Sequence, residues 1–231
     1  MSSKIITPWS SISDMALGLM MVFLFISVSY AYQISKQVGV VENQNEKISQ
    51  IVGEYHDYHR LIYEDLVDTF GHKLEGWDAE INENDLSFRF NNPAVLFEVG
   101  SSEITPEFEL ILQEFWSEYV IIMKKYDSII REVRIEGHTS SDWGGFDIHT
   151  AYFKNMELSQ SRTRSALERC YLYTLEPDLE WVRSKVTANG MSSSRLVTDA
   201  RGFENAAQSR RVEFTVVVDS DKRLEEISRE L

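Results

Sequence analysis

Apolar residues follow three different patterns along this chain. From Met15 to Tyr32 the sequence reads MALGLMMVFLFISVSYAY, without one charged side chain. A helix from Trp9 to Tyr32 is about 36 Å long at 1.5 Å per residue, enough to cross a hydrocarbon core of roughly 30 Å. Pro8 suits the first helical turn, where its missing amide has no partner to lose. Trp9, Tyr30 and Tyr32 fall where interfacial aromatics belong. A cleaved signal peptide is the rival reading, with Lys4 ahead of the run and Ser27-Val28-Ser29 as a weak cleavage site. The apolar run is longer than a signal peptide needs, which favours an uncleaved anchor. Residues 1–8 then form a short tail and residues 9–32 a transmembrane helix.

Residues 33–84 are polar, acidic and compatible with a helical stalk. Ile48, Ile51, Tyr55, Tyr58 and Ile62 follow the 3,4 spacing of a heptad seam, which Ile34 and Val41 extend backward. Gln37, Gln44 and Asp65 interrupt that seam, and Gly39 and Gly53 weaken the helix. A short parallel two-stranded coil and a single amphipathic helix lying on the next domain both fit this pattern. His56, Asp57 and His59 read as solvated groups on a polar helix rather than as metal ligands.

From Asp85 the period changes again. Leu86-Ser87-Phe88-Arg89-Phe90 alternates as a half-buried strand. Thr105-Pro106 starts a helix with Thr105 as N-cap, and Phe108, Ile111, Leu112, Phe115 and Val120 mark its buried side. Val133–Gly137 is a second strand, Leu158–Leu172 a second helix and Arg211–Val218 a terminal strand. This order predicts an α/β sandwich over residues 85–218, followed by a charged tail at 219–231.

Charge and composition narrow the function. A net charge of −14 argues against nucleic acid as a partner. Cys170 is the lone cysteine, so the chain forms no internal disulfide and offers no thiolate cluster for zinc. No nucleophile with a base and an orienting group stands out, so no enzyme, catalytic residue, metal site or bound cofactor is expected.

Asp14 is the sharpest feature of the anchor. A carboxylate at the centre of a membrane helix costs about 2.5–3.5 kcal/mol, less near an interface, and such groups often carry ions. The charge-free run from 15 to 32 covers only about 27 Å, so the anchor draws Trp9–Ser13, and Asp14 with them, toward the membrane. The bland alternative leaves Asp14 solvated at the helix end. Ser10, Ser11, Ser13 and Gly18 suit close helix packing around it.

Four motifs in the last region occur in the order of one family. Phe97, Gly100, Ser101, Ile104 and Thr105 match F-x-x-G-S-x-x-L/I-T, and Gly137-His138-Thr139 matches G-H-T. Asn155, Leu158, Ser159 and Arg162 match N-x-x-L-S-x-x-R, and Arg210-Arg211-Val212-Glu213 matches R-R-V-E. Over roughly residues 85–218 the chain resembles the OmpA C-terminal family shared by OmpA, Pal and MotB. That resemblance implies a peptidoglycan-binding domain whose ligand is the diaminopimelate-containing stem peptide, with an arginine and an aspartate gripping its charged ends. The arginine transfers as Arg162, with Asn155, Leu158, Thr139 and Arg210 around it. Ser140 stands at the family's aspartate position and the following loop, SSDWGGFDIHTAYFK, is longer than usual. Asp142 is the nearest substitute, and Asp147 a second. Ser209 replaces the asparagine that often precedes R-R-V-E.

A membrane helix with one aspartate, a stalk and an OmpA-like domain together resemble MotB-type stator subunits. The short stretch ahead of Asp14 and the acidic stalk look most like the MotB-like subunits of Zorya anti-phage defence systems. The resemblance implies a homodimer in the bacterial inner membrane, N-terminus cytoplasmic and C-terminal domain periplasmic, ringed by MotA-like (ZorA-like) subunits. It assigns Asp14 the ion-carrying role, with H+ favoured over Na+. A flagellar stator MotB, or a passive anchor tethering the membrane to the wall with no ion movement, are the competing expectations.

Overall fold

A computed structural model describes residues 8–98 and 100–219 of the chain. Most of the two expected tails, 1–8 and 219–231, lies outside the described residues. The chain divides into two compact units, residues 1–53 and residues 54–231.

Helix α1 (Pro8–Phe70) begins in the first unit. Its described side chains from Ile12 to Glu46 are all exposed, including Leu19, Phe23 and Phe25 in the apolar run. This is the one helix among the described residues long and apolar enough to cross a membrane. An apolar surface with no protein cover needs another apolar medium, which a bilayer supplies.

The second unit starts earlier than the expected boundary at residue 85. The end of α1 belongs to its core: Ile62, Leu66 and Phe70 are fully buried, at the spacing of one helical face. Ile62 is the only buried member of the heptad seam among those whose exposure is described. The amphipathic-helix reading therefore applies to this end of the stalk. Asp65, which interrupts the seam, accepts hydrogen bonds from Lys125 Nζ (2.6 Å) and Tyr126 Oη (2.7 Å). Burial pushes its carboxyl up, but these two donors outweigh that effect and hold it below its ordinary value. A short helix α2 (Leu74–Trp77) and strand β1 (Ala79–Asn82) follow, both inside the span read as stalk.

Next come β2 (Ser87–Phe90), the single turn α3 (Pro93–Leu96), α4 (Pro106–Lys125) and β3 (Ile130–His138). The chain continues through α5 (Ile148–Tyr173), α6 (Leu179–Lys185), β4 (Val186–Ser192), α7 (Ala206–Ser209) and β5 (Arg211–Val218). The strands form one mixed sheet in the order β1-β2-β5-β3-β4, with only the β3–β4 pair parallel. The α/β architecture expected from the sequence is present. Alternation places Phe88, Phe90, Phe214, Val133 and Ile135 in the core, where Phe115 of α4 meets Phe214 at 4.9 Å between ring centroids. Strand β4 has no alternating apolar signal, because only Val186 and Ser192 at its ends are buried.

Helix α5 starts at Ile148, well before the expected Leu158, because Asp147 caps it: its carboxylate accepts from the amides of His149 and Thr150. Two glycines let α5 lie close to the sheet. A Cβ at Gly137 would sit 2.7 Å from Thr163 Cγ2, and one at Gly190 would sit 2.5 Å from the Gln160 amide nitrogen.

Because Leu66 fills the core rather than a stalk surface, Leu66→Ala should destabilise residues 54–231 by about 2–5 kcal/mol. Urea unfolding followed by near-ultraviolet dichroism measures this. An unchanged midpoint would return the end of α1 to a bare stalk.

Candidate functional site

The functional motifs converge where β3 and β5 approach their turns. Beyond His138, the Thr139 amide donates to Ser192 O (2.9 Å), fixing the exit of β3 against β4. Asn155, on the second turn of α5 and buried, donates its side-chain amide to Ser140 O (3.1 Å) and Asp142 O (3.3 Å). Its amide is therefore committed to shaping the loop. Glu204 holds the same loop from the other side, accepting from the Ser141 amide (3.0 Å) and the Ser141 hydroxyl.

The facing wall is the turn at Glu98–Ser101. The Ser101 amide bonds Glu98 O (3.0 Å), and Gly100 takes φ +72°, the left-handed region that the family glycine permits. Arg162 reaches this turn from α5. Its Nε donates to Ser101 O (2.8 Å), Nη2 donates to Glu98 O (3.1 Å), and the guanidinium lies 4.9 Å from the Phe97 ring centroid.

Between the walls is a cleft of about 490 Å3. It is lined by Thr139, Asp142, Asn155, Leu158, Arg162 and Arg210, so the structure brings these six sequence candidates together in one place and leaves Asp147 outside it. Burial pushes the Arg162 guanidinium down to about 10, and the like charge of Arg210 adds to that effect. It remains cationic at neutral pH. Among the described residues, neither Arg162 nor Arg210 has a carboxylate partner, and the Arg210 side chain makes no hydrogen bond. The Thr139 hydroxyl, also at the cleft, is buried without a hydrogen-bond partner. Two uncompensated guanidiniums and an exposed carboxylate at Asp142 suit a ligand carrying both an anionic and a cationic end.

Asp147, the second candidate acid, is occupied elsewhere. It does not line the cleft, and its capping bonds, with that from the Thr150 hydroxyl (2.6 Å), hold its carboxyl below the ordinary range.

Sequence reasoning missed an ion network on the far side of the sheet. Glu136 and Glu213 face each other across the β3–β5 pair, with His138 Nε2 3.7 Å from an oxygen of each. Arg195 pairs with Glu136 (2.9 Å), while Arg89 (3.1 Å) and Arg211 pair with Glu213. The ligand atoms of Glu136, His138 and Glu213 lie within 4.8 Å of one another, a spacing that could hold a metal ion. Three guanidiniums already neutralise the two carboxylates, so a divalent cation there would leave unbalanced buried charge. Burial pushes the Glu136 carboxyl up, but His138 and Arg195 outweigh it and hold it low. The G-H-T and R-R-V-E motifs carry His138, Arg211 and Glu213, but charge alternation alone does not separate a buried lattice from a solvated strand face.

The mixed sheet with α4 and α5 packed on one face is a fold shared with a MotB-like protein. A MotB-like protein from Desulfovibrio vulgaris superposes with a TM-score of 0.51 at 22% identity, over 71% of this chain and 93% of its own. No family model matches the chain. The Zorya protein ZorB of Escherichia coli is 42% identical over 224 residues, which is 96% of this chain and 92% of the relative. The chain belongs to the ZorB family, as the motifs and layout anticipated.

The division of labour between the two aspartates can be measured. Asp147→Ala should lower the thermal midpoint of the domain at neutral pH, whereas Asp142→Ala should leave it unchanged. A carboxyl held low in the fold stabilises above its unfolded value of about 3.9 and loses that contribution as pH falls through the lower folded value. The gap between wild type and Asp147→Ala should therefore narrow below about pH 4. A gap independent of pH would remove the carboxylate cap as its cause.

Proposed function

We propose that this protein is the MotB-like subunit of a Zorya-type motor in the bacterial inner membrane. The N-terminus faces the cytoplasm and the OmpA-like domain holds peptidoglycan in the periplasm. A homodimer stands inside a ring of MotA-like (ZorA-like) subunits, and ions, H+ in preference to Na+, move past Asp14. The motor serves anti-phage defence.

The observation that carries the wall-binding part is the pair of guanidiniums, Arg162 and Arg210, sharing one cleft with no ion-pair partner among the described residues. A stem-peptide carboxylate supplies the missing counter-charge in bidentate form, and Asp142 takes the ammonium at the other end. Leu158 gives the aliphatic part of the ligand an apolar wall. Asn155 acts through the loop it holds, keeping the backbone around Asp142 in place.

Arg162 also ties the Glu98–Ser101 turn to α5, so its removal weakens both structure and site. Among the described residues the Arg210 side chain makes no hydrogen bond or ion pair, so it gives the cleaner test. Arg210→Ala should lower sacculus binding by more than about tenfold, the worth of a charge-assisted contact, with an unchanged thermal midpoint. Sacculus binding equal to wild type would remove the cleft from wall recognition.

The motor part rests on the family and on the position of Asp14 at the start of an uncovered apolar helix. Asp14→Asn preserves shape and hydrogen bonding but cannot ionise. It should abolish phage protection while protein level and assembly with the MotA-like partner persist. Full protection by Asp14→Asn at normal expression would leave a passive wall anchor, for which losing a membrane charge only eases insertion.

A further inference from the structure

The loop that departs from the family pattern also supplies the aromatic part of the cleft. Within it, Trp143-Gly144-Gly145-Phe146 forms a tight turn: the Phe146 amide donates to Trp143 O (3.0 Å), and Gly144 and Gly145 take φ +52° and +79°. Positive φ at both central residues is the signature of a primed turn, which reverses the chain without slack. Its flanks are pinned by Asn155, Glu204 and the Asp147 cap. The turn is thus a built element rather than a tether.

Trp143 lines the same cleft as Arg162, Arg210 and Asp142, and it is half-exposed instead of packed into the core. Beside it in the chain, Phe146 is 54% exposed. An indole carried on a pinned backbone turn and left half-open offers a large apolar contact to a ligand. Its surroundings select the ligand. A lipid surface is disfavoured, because Asp142 and Asp147 flank the turn and the chain carries a net charge of −14, which anionic headgroups repel. The site is a concave cleft with convergent charges, the form of a small-ligand site rather than of a flat protein interface. A pyranose ring fits both features, since its C–H face is apolar and its hydroxyl edge bonds polar neighbours. In the wall polymer such a ring is covalently joined to the stem peptide.

We propose that Trp143 is a stacking platform for a sugar ring of the glycan strand, so that one cleft holds the peptide's charged ends and the adjoining sugar. This rests on the wall-binding reading above and extends it from peptide to glycan. The extra loop residues then compensate for the aspartate missing at Ser140, adding an apolar contact where an ion pair is displaced.

The test is calorimetric binding by the full chain in detergent to two probes, a disaccharide-bearing stem peptide and the same peptide without sugar. Wild type should bind the sugar-bearing probe more tightly. Trp143→Ala should lose about tenfold on that probe and nothing on the bare peptide. Trp143→Leu, which keeps apolar volume in the loop but has no ring face, should lose as Ala does, and Trp143→Phe should recover most of the affinity. Arg210→Ala should weaken both probes alike. Equal wild-type affinity for the two probes, or an equal loss on both with Trp143→Ala and Trp143→Leu, would overturn the glycan platform alone. Wild type binding neither probe would overturn the wall-binding reading and the platform with it.

Discussion

The close approach of α5 to the parallel pair β3–β4 sets the geometry on which the cleft depends. Any side chain at Gly137 or Gly190 would strike the helix, and both contacts involve backbone or short, buried groups. Ser159 fastens the approach by accepting the Ser192 amide on its Oγ (3.1 Å), and Gln160 accepts the Gly190 amide (2.8 Å). With α5 fixed at this distance, Asn155, Leu158 and Arg162, spaced at three and four residues, reach the cleft from one helix face. A helix held farther out would leave Asn155 short of the carbonyls that it orders.

Charge is distributed across the sheet in two opposite ways. On the network side, carboxylates and guanidiniums are matched, and Arg211 also donates to Arg195 O (3.3 Å) and Ser209 O (3.2 Å), tying the connection before β5 to the strand. On the cleft side, Arg162 and Arg210 have no carboxylate partner among the described residues. Arg210, which follows α7, lines the cleft, whereas Arg211, the first residue of β5, pairs with Glu213.

The parts of this arrangement legible in the sequence are those with a strong period or a dense motif. The alternation at Leu86–Phe90 and Arg211–Val218, and the buried face of α4, were readable because apolar residues recur at the right spacing. Strand β4 was not, because it is an edge strand with a polar surface and Gly190 at its closest contact with α5. The early start of the folded unit was hidden by continuity of helix. Ile62 reads equally as the last seam residue of a stalk, and only the placement of Leu66 and Phe70 beside Phe88 and Phe115 shows which surface it covers. Among site residues, the motif residues could be placed by position, whereas Asp147 and Asp142 could not be separated. A helix cap and a cleft-lining acid use the same side chain, and only the geometry of the following helix distinguishes them.

On the proposed reading, the choice of charged groups in the two units follows from what each must do. Wall attachment has to persist whatever the local pH, and a guanidinium meets that need. Even pushed down to about 10 by burial and by Arg210, Arg162 stays charged across the physiological range. Ion passage has the opposite requirement, a group that gives up and regains its charge within each cycle. A carboxylate can do so, since removal from water raises its proton affinity by several units and a nearby cation or water restores the charged form. On that reading Asp14 is the ion-carrying group and the cleft holds the fixed charges. Exchanging the two residue types would defeat both tasks, because a guanidinium in the membrane could not neutralise and a carboxylate in the cleft would repel the carboxylate it must hold.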